Sequence, residues 1–420
     1  MTKVESFLKK YQMSVEDINE SSALLNFQNE INKGLHQEYS LKECSIPMVC
    51  TYLSPDKEVQ INKKVIVVDA GGTNLRTGIA YYDGNDWQIE KLNEYKMPGI
   101  DKEYSHEEFF SYIADKMKDL LDEAIDIGFC FSYQVAMNKD LDGKLVAWTK
   151  EVKAKEVVGK MVGASLLNAL KKYSPIERKI VVLNDTTSVL LGGKTLDLKH
   201  NYPKYVGVIY GTGFNCCYSE DNNNIQKIHN LENGKMIINT ETGNFAGFNR
   251  GLFDLELDNE SSYVGNSLTE KMSSGRYLSS LIYKATLKAK EEGLLDFNDT
   301  IISYDDFNLP LVSMYLANLD HTLDKCFKND LDKETFKEIA YNLIKRASKI
   351  VAITVSAFAI KSNVNKVGII VEGSTFYKLP SFKDSFIHYL DQILKSRNIE
   401  YGLFDGRNRI LIGAAMAVMG

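Results

Sequence analysis

The sequence predicts an α/β protein of two domains with an internally duplicated core. A chain of 420 residues exceeds what one compact core accommodates and fits about two domains. Short β-branched runs that read as strands alternate with helical patterns from Val65 onward. One hairpin pattern also occurs twice, as "VIVVDAGGTNLRTGIAYYDG" from Val65 and as "YVGVIYGTGFNCCYSEDNN" from Tyr205.

Composition narrows the function. A net charge of −6 argues against binding a phosphate backbone, which needs clustered Lys and Arg, so small molecules are the expected ligands and nucleic acid is not. The start, "MTKVESFLKKYQM", lacks the continuous apolar core of a secretory signal and reads as a short amphipathic helix. The longest apolar run, "IVAITVSAFAI" from Ile350, falls short of the ~20 residues of a membrane span, so no anchor is expected. Cys44, Cys50, Cys130, Cys216, Cys217 and Cys326 show no metal spacing, which fits reduced thiols in a cytoplasm. The histidines form no HExxH or HxH pattern.

In chain order, N-terminal helices give way to a polar connector, "SIPMVCTYLSPDKEVQINKK", broken by Pro47 and Pro55. The first hairpin follows. Ser105 and Glu108 form a capping box ahead of Phe109, Ile113, Met117 and Leu120, which predicts a helix of several turns. "IGFCF" is a strand, Lys153 to Lys172 reads as helix, and "KIVVLND" is a buried strand ending at Asn184 and Asp185, with Thr186 and Thr187 as caps of the next helix. The second hairpin comes next. "VGIIVEGSTFYKLPSF" from Val367 is a strand ending at Gly373 and Ser374, where a helix N-terminus could meet a nucleotide. "GGKT" at Gly192 is not a P-loop, because Ser188 stands where its first glycine belongs.

The hairpins carry the chemistry. Gly71 and Gly72 can take backbone angles closed to other residues, so that successive N–H groups would face one concavity and hold a phosphate. Asp69 beside phosphate makes sense if Mg²⁺ or its water shell lies between them. Taken alone, the stretch is equally an ordinary hairpin whose glycines make the turn while Asp69 bonds local backbone. Two such hairpins in one chain suggest a nucleotide held between duplicated halves.

The ordered set of segments resembles the hexokinase family, the sugar kinases of the actin-like ATPase superfamily, from about Ser45 to Gly420. "VDAGGTNLR" is similar to the family's first phosphate motif, "GFCFSY" and "WTK" to its sugar-binding segments, and "LNDTT" to the segment with the catalytic aspartate. "YGTGFNCCY" is similar to the second phosphate motif, "NTETGNF" to the strand with a sugar-binding glutamate, and "EGSTFYK" to the adenosine motif. The resemblance implies a two-domain, ribonuclease H-like duplicated fold. Its smaller unit would be residues 62–183 with 404–420, its larger 1–61 with 184–403, and a cleft between them would close on sugar.

It also implies an ATP-dependent kinase that phosphorylates a hexose at the 6-hydroxyl. Asp185 would take the proton of that hydroxyl and orient it, although by itself Asp185 reads as a helix-capping aspartate. Lys150 would neutralise the transferring phosphoryl group. Ser132, Thr149, Lys150, Asn184, Asp185, Asn215 and Glu241 would hold the sugar. Asp69, Gly71, Gly72, Thr73, Asn74, Gly211, Thr212, Gly213, Gly373 and Ser374 would hold ATP, with Asp69 acting through Mg²⁺ and Arg76 bracing the first turn.

Three departures qualify the match. Tyr133 and Gln134 follow Ser132 where the family has Phe-Pro, which bears on the shape of the sugar loop. The family's second sugar-binding glutamate, placed at the end of "TEKMSSGRYLSS", falls on Ser280; Glu270 would lie about 15 Å away along a continuous helix and could not replace it. Broader hexose use or weaker glucose affinity is the expectation that follows. "DGRNRILIGAA" from Asp405 is longer than the family's usual stretch before its last helix, so regulation by closure does not carry over. Rival expectations are a kinase for another sugar or amino sugar, a catalytically weak sugar sensor, and an ATPase indifferent to sugar.

Overall fold

The computed structural model describes residues 1–37, 43–148, 152–197 and 201–419. Its strands are β1 (Val49–Cys50), β2 (Val65–Ala70), β3 (Asn74–Tyr82), β4 (Trp87–Lys96), β5 (Ile127–Phe131), β6 (Gln134–Met137), β7 (Gly143–Ala147), β8 (Ile180–Leu183), β9 (Lys204–Tyr210), β10 (Phe214–Asp221), β11 (Lys235–Asn239), β12 (Lys366–Glu372) and β13 (Glu400–Asp405). The apolar runs VIVVDA, IGFCF and IVVL are buried along their whole length, as strands covered on both faces must be.

The duplication is visible in the topology. One sheet runs β4-β3-β2-β5-β8 and the other β1-β11-β10-β9-β12-β13. In the first, β2 pairs antiparallel with β3 and parallel with β5, and β5 is parallel to β8. In the second, β9 pairs antiparallel with β10 and parallel with β12, and β12 is parallel to β13. With β1 set aside as an added edge, the two sheets match strand for strand, and both glycine turns occupy the same place, between the first two strands of each half. β1 itself lies in the stretch read as a plain connector. Phe404 and Asp405 belong to the larger sheet, on the 404–420 side of the expected unit boundary.

Between the sheets lie two helices, Asp185–Lys194 and Ile410–Val418. They share one apolar core with Val65 and Val67 from one sheet and Cys217, Ile237 and Ile370 from the other. The two helices approach backbone to backbone: a Cβ on Gly413 would stand 1.8 Å from the Ser188 carbonyl oxygen, so only glycine fits there.

Several local expectations are corrected. The helix predicted over 153–172 is a 3₁₀ turn, Lys155–Val157, followed by a helix over Val162–Leu170 only. Gly159 at φ +82° and the bridge between Lys144 and Met161 break the run. The helix after β8 is capped by Asn184, whose Oδ1 accepts from the Thr186 N–H at 2.9 Å, rather than by Thr186 or Thr187. The capping box of Ser105 and Glu108 heads the helix His106–Met117 as predicted. The apolar run from Ile350 lies within the helix Asp330–Lys361, and among the described residues no helix is long and apolar enough to cross a membrane. All six cysteines are free and buried.

Candidate active site

The first turn is built by its own backbone. The Gly71 N–H donates to the Asn74 carbonyl at 3.0 Å, and the Ser132 N–H donates to the Ala70 carbonyl at 3.1 Å. Neither Gly71 nor Gly72 has a positive φ, contrary to expectation. The turn is tight without needing left-handed backbone. Thr73 stands exposed at its tip. Asp69 is buried at the end of β2, with Arg76 Nη1 3.8 Å from its Oδ2, and Arg76 Nε donates to Glu94 at 2.9 Å. Asn74 also donates to Glu94, at 2.9 Å. Arg76 thus ties β3 to Asp69 of β2 and Glu94 of β4.

The second turn is held from outside. Gly211 N–H donates to the Gly213 carbonyl at 3.0 Å, while the N–H groups of Gly275 and Arg276 donate to the carbonyls of Gly211 and Thr212 at 2.9 and 3.1 Å. Thr212 is exposed at the tip, the counterpart of Thr73. Gly373 packs directly on this turn: its φ is +131°, and a Cβ there would lie 2.0 Å from the Tyr210 carbonyl oxygen. Ser374, exposed, opens a helix of only five residues, Ser374–Lys378. Gly373→Ala should therefore destabilise the fold by about 2–3 kcal/mol in denaturant unfolding. Gly211→Ala, whose Cβ would meet nothing closer than 3.9 Å, should stay within about 1 kcal/mol of wild type.

Carboxylates converge between the turns. Asp185, half-buried, follows β8, and its Oδ1 accepts from the Thr186 N–H at 2.8 Å. Burial, together with the charges of Asp185 and Asp69, lifts the Glu372 carboxyl to about 7, while Arg76 pulls the other way. Glu241 carries a left-handed backbone, φ 54°, uncommon for a residue with a side chain. A chain of amides holds this site: Asn215 Nδ2 donates to Asn239 Oδ1 at 2.8 Å, and Asn239 Nδ2 donates to Glu241 Oε1 at 2.8 Å. Desolvation raises the Glu241 carboxyl to about 7; the Asn239 bond opposes this, and the charges of Asp185 and Glu270 add to it.

Glu270 is the residue the sequence set aside. No continuous helix joins it to Ser280. The helix Leu268–Ser273 stops, Ser274 takes extended backbone at ψ 161°, and a new helix runs over Gly275–Glu291. The break brings Glu270 to the second turn, where its Oε2 accepts from the Phe214 N–H at 3.2 Å. A Cβ on Gly213 would come within 2.9 Å of that oxygen, so the turn leaves room for the carboxylate. The separation of about 15 Å reckoned along a continuous helix therefore does not apply. The triplet Ser273-Ser274-Gly275, a cap-and-breaker pattern, was the available signal. Glu372 was missed as well, though a carboxylate at a strand end before Gly373 has the same form as Asp69 before its glycines.

Thr149 and Lys150 lie outside the described residues. Of the others, the structure brings Asp69 and Asp185 each within electrostatic range of Glu372, and Asp185 and Glu270 each within range of Glu241. Ser132 adjoins the first turn, and Asn215 is linked to Glu241 through Asn239. Carboxylates beside the two glycine turns can accept from hydroxyl groups, although among the described residues no three or more ligating side chains form a metal site by themselves.

Comparison with known proteins adds a pattern to this geometry. Family models described as hexokinase match residues 205–420 and 3–195. Hexokinase-1 of Schizosaccharomyces pombe is 30% identical over 400 residues, covering 88% of this chain and 80% of the relative. Hexokinase-1 of Saccharomyces cerevisiae is 28% identical over 394 residues, covering 86% of this chain and 79% of the relative. A solved hexokinase from Schistosoma mansoni, complexed with glucose, is similar to the chain with a TM-score of 0.84 at 25% identity, covering 99% of this chain and 98% of that one.

Proposed function

Because the chain belongs to the hexokinase family, we propose that its cleft transfers the γ-phosphoryl group of ATP to the 6-hydroxyl of a hexose, with Asp185 positioned to receive the hydroxyl proton. The enzyme is a phosphotransferase with an alcohol acceptor and uses ATP to phosphorylate hexose. The observation that supports the assignment of roles is the set of carboxylates around Asp185: its charge reaches Glu241 and the Glu372 that precedes Gly373, and Glu270 is bonded to the second glycine turn.

Asp185 follows β8 with its carboxylate available to a sugar hydroxyl. With a loose transition state, its main contribution is to orient the attacking oxygen. Glu241 and Glu270, with Asn184, Asn215, Ser132 and Thr149, hold the sugar ring by accepting from and donating to its hydroxyls. Lys150 adds positive charge where phosphoryl charge develops. Thr73 and Thr212, at the tips of matching turns, meet the phosphates, and Gly373 and Ser374 meet the adenosine. A carboxylate beside triphosphate fits a bound Mg²⁺, because Mg²⁺ favours one or two carboxylates plus phosphate oxygens; Asp69 would hold it through its water shell, and the ion would neutralise phosphate charge. The unit of residues 62–183 with the last helix closes against the rest of the chain and excludes water that would otherwise compete for ATP.

The raised Glu241 carboxyl gives opposite pH trends for binding and stability. Below its value of about 7 it is increasingly protonated and a poorer acceptor, so the hexose KM should rise as pH falls from about 8 to 6. The folded, ligand-free protein keeps a proton that the unfolded chain releases above its ordinary value of 4.5. That carboxyl's contribution to stability is therefore complete below pH 4.5 and is lost as pH climbs toward 7. In Glu241→Gln the hexose KM trend should flatten, while the ligand-free Tm trend should lose only Glu241's share and keep that of Glu372, whose carboxyl is also raised to about 7.

A panel of glucose, mannose, fructose and glucosamine, read out as ADP formed with MgATP, tests the function. Sugar-dependent ADP supports it and ranks the substrates. ADP release indifferent to every sugar would mean an ATPase of another kind, and no ADP with any of them would mean a sugar-binding sensor.

A further inference from the structure

The side chain of Tyr133 is all but removed from solvent, at 2% exposure, yet it ends in a hydroxyl. That hydroxyl donates to the Gly71 carbonyl at 2.6 Å. The ring is fixed by its neighbours: Phe131 lies 4.9 Å away between centroids, and Trp148 meets it edge-on at 4.7 Å and 87°. Trp148 is itself anchored by its indole N–H, which donates to the Ala154 carbonyl at 2.8 Å. Burial, with the charges of Asp69 and Asp185, raises the phenol well above its ordinary value, so it remains a donor at any working pH.

Two consecutive residues of the sugar segment are thus stitched to two consecutive residues of the phosphate turn, Ser132 N–H to Ala70 and Tyr133 hydroxyl to Gly71. In a planar trans peptide the carbonyl and the following N–H point in opposite directions. With the Gly71 carbonyl held on Tyr133, the Gly72 N–H is turned to the other side of the turn. No acceptor among the described residues takes it. A phenylalanine would fill the same space and leave that peptide free to rotate.

We propose that Tyr133 is a positioning residue that locks the Gly71–Gly72 peptide, presents the Gly72 N–H to the triphosphate, and couples the sugar segment to the nucleotide turn. This rests on the kinase function proposed above and deepens it. Tyr133→Phe removes one oxygen and keeps the packing. In calorimetric titrations it should weaken ATP binding about three- to tenfold, the worth of one buried neutral hydrogen bond. Binding of adenosine, which lacks the phosphates, and of glucose without nucleotide should change less than about twofold, because neither meets the Gly72 N–H.

ATP affinity unchanged in Tyr133→Phe would overturn the proposal. So would parallel losses for ATP, adenosine and glucose with a lowered Tm, which would make the hydroxyl a general brace. A wild-type protein that binds no ATP would instead overturn the kinase function itself, and the two failures are told apart in the same titrations.

Discussion

Asp185→Ala should lower kcat for sugar-dependent ADP formation by about a hundred- to ten-thousandfold, the range of a lost acid-base and orienting group. The structure makes this variant unusually clean. Asn184 Oδ1 and Asp185 Oδ1 both accept from the Thr186 N–H, at 2.9 and 2.8 Å, so Asn184 still caps the helix when Asp185 is truncated. The helix-capping role that Asp185 has when read by itself therefore predicts little change in stability and none in chemistry. A coupled assay alongside thermal unfolding separates the two: catalysis requires a collapse of kcat at nearly constant Tm and nearly constant ATP affinity.

Glu270→Ala carries the second large effect. It removes a carboxylate beside Glu241 and takes the acceptor from the Phe214 N–H. A lost hydrogen bond to a charged group is worth about 1.5–3 kcal/mol, so hexose KM should rise about 10- to 100-fold. Ser280→Ala should leave it within about twofold. Steady-state kinetics on the two variants decide which residue grips the sugar, and the opposite ranking would restore the reading in which Glu270 lies out of reach.

What could be read from the sequence was local. A buried strand that ends near Asp69, Asp185 or Glu372 declares itself through β-branched residues followed by glycine or a capping pattern, and both glycine turns were legible for that reason. The strand order was not, because the pairing of β9 with β12 joins residues more than a hundred positions apart and leaves no local trace. Glu270 was misplaced because an unbroken helical period through "TEKMSSGRYLSS" was assumed across Ser274, whose extended backbone separates two helices. The glycines at 71 and 72 were credited with backbone angles closed to other residues, yet neither has a positive φ. Tyr133 looked like a departure of shape in a sugar loop, and only its position in space revealed a bond to the neighbouring turn.

The central claim is that Asp185 faces a hexose hydroxyl across bound triphosphate, and product structure tests it most directly. Phosphorus and carbon NMR of the reaction of wild-type protein with MgATP and glucose should show a single phosphate ester on C6, absent when Asp185→Ala replaces the wild type. Inorganic phosphate in place of an ester, or an ester formed equally well by the variant, would contradict it.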